Sequence, residues 1–238
     1  MKSIRKNIQT LVVVSIITFI SIQILPAQNL TPVKMEDKWG FADDAGKVII
    51  DAQYLEVEKF TDEITGVKIA LAKWILIDKT GKQVTDQTYS RIYGFQNGLA
   101  IVNPIVQNDF SDHYAFIDNT GKQVSETYQY VGSFSEGMAM VRTNNKFGYI
   151  DATMKLVIPA NYDNADDFSE GVAAVNMGGT GATYPWTIDG GKWGYISRTG
   201  DLVIPFQYDW CSKFTDGVAT AELKKKRFKI NMAGEKIQ

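Results

Sequence analysis

The chain holds one cysteine, Cys211, and one histidine, His113, among its 238 residues. A lone cysteine cannot close an internal disulfide, so packing must hold the fold, and Cys211, between Trp210 and Phe214, reads as a small buried hydrophobe. One His with one Cys is too few for a structural zinc site. Nucleophilic chemistry of the serine or cysteine type needs a histidine held against its partners, and neither GxSxG nor HExxH occurs. His113 directly precedes Tyr114 and reads as an edge or surface residue. The glycine-rich GGTG at 178–181 lacks the lysine and the strand-to-helix setting of a phosphate loop, and reads as a flexible linker. No cofactor is expected. Excess charge is also missing: the formal net charge is −2, and losing Lys2, Arg5 and Lys6 would take it to −5, which disfavours nucleic acid and anionic membrane surfaces as partners. Beyond residue 28 no stretch keeps helical apolar spacing over three turns, which leaves β-structure as the organising element.

What the chain does have is a repeat. From Trp193 a Gly follows at +7 (Gly200), a Tyr at +15 (Tyr208) and a Phe at +21 (Phe214). The same ruler fits Trp39, Gly46, Tyr54 and Phe60, and again Trp74, Gly81, Tyr89 and Phe95. Phe147, Tyr162 and Phe168 form a copy in which Met154 replaces the Gly, and Tyr114, Gly121, Tyr128 and Phe134 form one that is a residue short. A half copy, KRFKINMAGEKIQ, ends the chain. Self-similarity at about 35 residues is the mark of a solenoid or propeller. The reading is an all-β tandem array of about five and a half hairpin or meander repeats, starting near 38, 73, 113, 146 and 192 with a half repeat from 226. An open, curved, solenoid-like stack is expected, with a closed propeller-like ring as the alternative.

The segments KWGYI (192–196), KFGYID (146–151), LVIPANYD (156–163), LVIPFQYD (202–209) and FSEGVAAV (168–175) resemble the bacterial WG-containing repeat family. The Trp-Gly pair is lost at 74–75, 114–115 and 227–228. The resemblance implies a β-rich scaffold and assigns no single activity.

Within each copy an aromatic-apolar run reaches a turn, DDAG, DKTG, DNTG, SRTG or NMAG, whose first residue and final glycine suit a type I turn with a glycine bulge. A second strand follows, expected to end at Pro159 and Pro205 because proline cannot donate to a ladder. Then comes the Phe, a second turn (FQNG, FSEG, FSEG, FTDG) and a third apolar strand, so three or four strands per unit are expected. The turn acids Asp43, Asp78, Asp118 and Asp151 read as caps of their own turns, and so do Asp62, Glu136, Glu170 and Asp216 beside the second turn. The recurring aromatics read as a stacked core.

The N-terminus carries Lys2, Arg5 and Lys6, an apolar run from Leu11 to Leu25, and a Pro26-Ala27-Gln28 exit, the pattern of a cleaved secretory signal over 1–28. A lead-in, 29–37, and the array, 38–238, would follow. The mature chain is expected in the periplasm, on the surface or outside the cell, with no stable membrane span.

Spacings from the Gly after each Phe to the next Trp position are 8 (from Gly66), 16, 10, 22 and 10 residues. Both long insertions occupy the same connection and should emerge on one face, where a repeat scaffold often binds. One carries Asp109 and Phe110, the other Tyr184, Trp186 and Asp189; these five are the candidate ligand-binding residues. The expected function is a non-catalytic module or scaffold for a protein or glycan partner. The alternative is an envelope-associated hydrolase using Asp109, Asp112 and Asp189, whose chemistry needs two carboxyls flanking a cleft.

Overall fold

The structure is a computed structural model that describes residues 29–106, 113–183 and 187–237. Among them there is no helix; the chain is a meander of antiparallel strands. Unit one is β1 (Thr31–Met35), β2 (Lys38–Ala42) and β3 (Val48–Tyr54). Unit two is β4 (Glu56–Val57), β5 (Ile64–Ala70) and β6 (Lys73–Asp78), and unit three is β7 (Tyr89–Ile92), β8 (Leu99–Pro104) and β9 (Ala115–Asp118). Unit four comprises β10 (Tyr130–Val131), β11 (Met138–Thr143), β12 (Lys146–Asp151) and β13 (Leu156–Tyr162). Unit five comprises β14 (Asn164–Ala165), β15 (Val172–Thr183), β16 (Thr187–Ser197) and β17 (Leu202–Tyr208), and unit six β18 (Trp210–Cys211), β19 (Val218–Leu223) and β20 (Lys226–Asn231). Units two and three share one six-stranded sheet, joined by the Trp74 and Tyr89 rung; each other unit is a sheet of its own. Every ladder joins consecutive strands, and none pairs β1 with β20, so strand pairing does not close the array.

The sheets are out of phase with the sequence copies. A sheet begins two residues after the Tyr of the previous copy, so that Tyr162 ends one sheet and Asn164 begins the next. The complete units four and five have four strands, the first only two residues long.

The Trp-Gly pair has a local cause. In unit four Phe147 faces Tyr162 and Tyr149 faces Ile158, so β13 takes four steps where β12 takes two. The same bulge lies opposite Gly40 and Gly194. Under it a Cβ on Gly148 would sit 2.5 Å from the Ile158 carbonyl oxygen, and one on Gly194 2.6 Å from that of Ile204. Only glycine fits beneath the arch. Ile75, Ala115 and Phe228 replace this glycine in units where no such outer strand lies alongside. The prolines sit in the bulge itself. Contrary to the expectation that the strand stops there, β13 and β17 continue through Pro159 and Pro205, because a bulged residue owes the ladder no N–H.

Neighbouring sheets are clasped by an aromatic pair that the Trp-based ruler missed. The residue two after the Trp position stacks on the Phe that opens the next sheet: Phe41 on Phe60, Tyr149 on Phe168 and Tyr195 on Phe214, each with centroids 4.8 Å apart. Tyr149 and Tyr195 also donate their hydroxyls across the joint, to the carbonyls of Asp166 and Ser212 at 2.7 Å. Tyr149, Tyr195, Phe168 and Phe214 are fully buried, worth about 1.5–3 kcal/mol apiece in apolar area. The copies therefore stabilise one another across joints more than within themselves.

Candidate functional site

The two ends of the sheets are built differently. At one end lie the hairpins between the second and third strand of each of units two to six, and that between β1 and β2 in unit one. The two long insertions belong to this set, one joining β8 to β9 and the other β15 to β16. Asp109, Phe110 and Asp112, like Tyr184 and Trp186, lie outside the described residues, as do residues 1–28. Asp189 is described: it is exposed on β16, opposite Thr180. The segment 178–181 is not a linker. It is the outer half of β15, paired with β16 as an arm that extends the hairpin, with Gly179 facing Gly190. Its glycines are needed because a Cβ at Gly179 would meet Ile188 at 2.5 Å, while Gly178, Gly181, Gly190 and Gly191 take positive φ. The residue after the Tyr of each preceding unit pins this end by accepting a backbone N–H: Gln129 from Asn145 at 2.8 Å, Asp163 from Gly178 at 2.8 Å and Asp209 from Lys224 at 2.6 Å. Lys146 and Lys192 pair with Asp163 and Asp209. That pairing explains why Lys precedes the Trp position and Asp follows the Tyr in these two copies.

The opposite end gathers the turns. The Asp43, Asp78, Asp118 and Asp151 carboxylates each accept two N–H groups of their own turn, as do Ser197 Oγ and Asn231 Oδ1. The Thr120 and Thr153 hydroxyls also bond Asp118 and Asp151, and these bonds hold both carboxyls below their ordinary range. The second acidic register behaves otherwise than expected. Glu136 does not cap its own turn; it accepts the N–H of Gly171 in the next sheet at 2.9 Å, and Glu170 accepts that of Gly217 at 2.9 Å. Beside them Ser135 donates to the Phe168 carbonyl at 2.7 Å, Ser169 to that of Phe214 at 2.8 Å, and Thr61 to that of Phe95 at 2.8 Å. These are fasteners between units. The turns carrying them have φ near 50–55° at Asn97, Glu136, Glu170 and Asp216 and positive φ at the following glycine, a type I′ geometry. Gly66 is no member of this set: it lies within β5, where a Cβ would strike Ile92 at 2.7 Å.

Two cavities of about 650 Å³ meet at Gly94 and Gln96 on this turn end, each within the range of about 300–1,000 Å³ typical of ligand sites. The first lies between units one and two, against Trp39, Glu58 and Lys59. The second lies between units three and four, with Phe116, Phe134, Leu99 and Ile101 within and Tyr93, Gln96 and Asn97 at its rim. Their lining includes one carboxylate, Glu58, whose pKa is raised by burial in spite of Arg91 nearby. Arg91 lies 4.8 Å from the Trp74 ring centre, within 3.4 Å of Glu56 and Glu58, and Glu56 also bonds Lys68 at 2.5 Å. Cys211 is buried, and burial pushes its thiol up to about 12. Among the described residues no three His, Cys, Asp or Glu side chains gather as metal ligands.

A family model described as WG containing repeat matches residues 39–74, 76–103, 114–147, 147–180 and 193–226. No curated protein matches the chain. Among solved structures, the chain is similar to BamB from Moraxella catarrhalis, at 11% identity over 88% of this chain and 69% of that one, with a TM-score of 0.41. It is also similar to a eukaryotic initiation factor, at 9% identity over 90% of this chain and 62% of that one, with a TM-score of 0.46.

Proposed function

Because the chain belongs to the WG-containing repeat family, we propose that it is an exported, non-catalytic recognition module that holds a protein or a carbohydrate on the hairpin end of its array. The observation that carries this reading is the β15–β16 arm. The other short hairpins turn back at once, whereas this one continues as a glycine-paired ladder past Lys192 and is pinned at its base by Asp163. A ladder of this kind holds Gly179 and Thr180 in register against Gly190 and Asp189 beyond the hairpin base. The reading as non-catalytic is consistent with the lining of these two cavities, which holds a single carboxylate, Glu58, where glycosidic chemistry would need a pair; a third cavity, of about 510 Å³, is lined by Glu63 and Asp78. Export, to the periplasm, the cell surface or beyond, is supported by the pattern of residues 1–28.

The test is capture of envelope proteins and a glycan array by the chain from Asn29, beside a variant whose residues 178–190 are replaced by a short linker and a Tyr184→Ala/Trp186→Ala variant. Both variants should lose the partner and keep their Tm within about 2 °C. Binding that persists in both would remove the site from the arm.

A further inference from the structure

The joint between units three and four lacks the fasteners of its neighbours. Where Ser135 and Ser169 donate across the next joint, unit three has Gln96; where Glu136 and Glu170 accept a glycine N–H, it has Asn97. Neither amide makes such a bond to unit four. Where Tyr149 and Tyr195 reach a carbonyl, unit three has Phe116, which has no hydroxyl, and its contact with Phe134 opens to 5.3 Å. Phe134 is half-buried, as is Phe60, whereas Phe95, Phe168 and Phe214 are buried.

Spacing at the turns varies from joint to joint: at the joint of units four and five a Cβ on Gly200 would lie an ordinary 3.6 Å from Ile158. A Cβ on Gly81 or Gly234 would lie 3.2 or 3.0 Å from an isoleucine of the preceding sheet, and one on Gly121 2.8 Å from Thr85. At the joint of units three and four the same position holds Met154, a whole side chain, packed against the buried cluster that contains Phe116. The second cavity lies at this unfastened joint.

We infer that this cavity is a binding site for a short neutral oligosaccharide. Its floor offers the half-buried ring of Phe134 and the side chains of Leu99 and Ile101, over the buried Phe116, to the C–H surface of a sugar ring. Its rim offers Tyr93, 41% exposed, and the exposed amides of Gln96 and Asn97, which both donate and accept as a diol requires. No charged side chain lines it, and Arg198, beside Gly137, is held by the Glu136 carbonyl. The site lies on the turn end, away from the arm, and stands independently of the arm's role.

The experiment is calorimetric titration of the chain from Asn29 with cellotetraose, chitotetraose, maltotetraose and xylotetraose, and with tetragalacturonate as a charged control. At least one neutral tetrasaccharide should bind. The variant Gln96→Ser/Asn97→Glu, which installs the fasteners of units four and five, should weaken that binding tenfold or more and raise Tm by a few degrees. Tyr93→Ala should weaken it without any rise, and the variant lacking 178–190 should bind as the parent does. The inference is overturned if no neutral sugar binds, if only the charged one does, or if affinity survives both the double variant and Tyr93→Ala. Loss of sugar binding only on replacing 178–190 would also overturn it, assigning recognition to the arm.

Discussion

Gly194→Ala offers the most direct trial of the arch over the Trp-Gly pair. The added Cβ would stand 2.6 Å from the Ile204 carbonyl oxygen and 3.0 Å from Phe206 N and Pro205 C, all backbone atoms. An ordinary carbon–oxygen contact is about 3.3 Å, so the strands must part by roughly 0.7 Å. The rungs on either side, Trp193 with Tyr208 and Tyr195 with Ile204, are the ones that stretch. Weakening two ladder hydrogen bonds removes about 1 kcal/mol each. Partial loosening of Ile204, 1% exposed, adds about another 1 kcal/mol. The expected loss is about 2–4 kcal/mol, or a fall of about 5–12 °C in Tm for a chain of this size. Thermal and urea melts followed by circular dichroism would measure it. Ala115→Gly is the matched control at the same repeat position, where no outer strand arches over the residue; it should lose only about 0.5–1 kcal/mol. Equal losses in the two variants, or a Gly194→Ala protein within about 0.5 kcal/mol of the parent, would refute the argument.

Met154 holds φ 66° where its counterparts are glycine, so Met154→Gly should be more stable than Met154→Ala by about 1 kcal/mol in urea melts, the reverse of the usual order. Cys211 should resist iodoacetamide in the folded chain at pH 8 and react at once in denaturant, as mass spectrometry would record, because its buried thiol ionises only near 12. The Asp118 and Asp151 carboxyls have folded pKa values below their unfolded ones, so their contribution is full above about pH 4 and fades as pH falls through the folded values. An Asp118→Asn/Asp151→Asn protein, which keeps the turn acceptors, should therefore melt below the parent at pH 7 and converge with it towards pH 2. Glu136→Gln should lower Tm by about 1–3 °C, reflecting a weaker bond to the Gly171 N–H, and a Tm drop that is unchanged in high salt would count against the charge-assisted bond.

The ruler of Trp, Gly, Tyr and Phe made the all-β array legible, because each of those residues meets a local demand that recurs at one position. The +7 glycines take positive φ, and the turn acids cap the N–H groups that follow them, as their spacing implies. The serine and glutamate of FSEG carry no such local signature. Their partners lie 33 and 35 residues away, one period along, and only stacking brings them together. A comparison of copies does hold a trace of the open joint: QN stands where the next two copies have SE, and Met154 where five turns have Gly. Of the residues singled out for binding, Asp189 falls on a paired arm, and the other four lie outside the described residues.

By itself, then, the sequence determined a β-repeat of fixed period with its turns in place, because turn geometry and strand alternation are set by residues within a few positions of one another. It could not determine where one sheet stops and the next starts. That break falls one residue after Tyr54, Tyr128, Tyr162 and Tyr208, but not after Tyr89, where units two and three share a sheet. Nor could it distinguish a glycine that shapes a turn from one that lies under an arch of backbone, as Gly148 and Gly194 do. The tertiary structure alone decided which joints are fastened by hydroxyl bonds, three of the five between the six units among the described residues, because each such bond joins residues about a repeat or more apart that only stacking brings together.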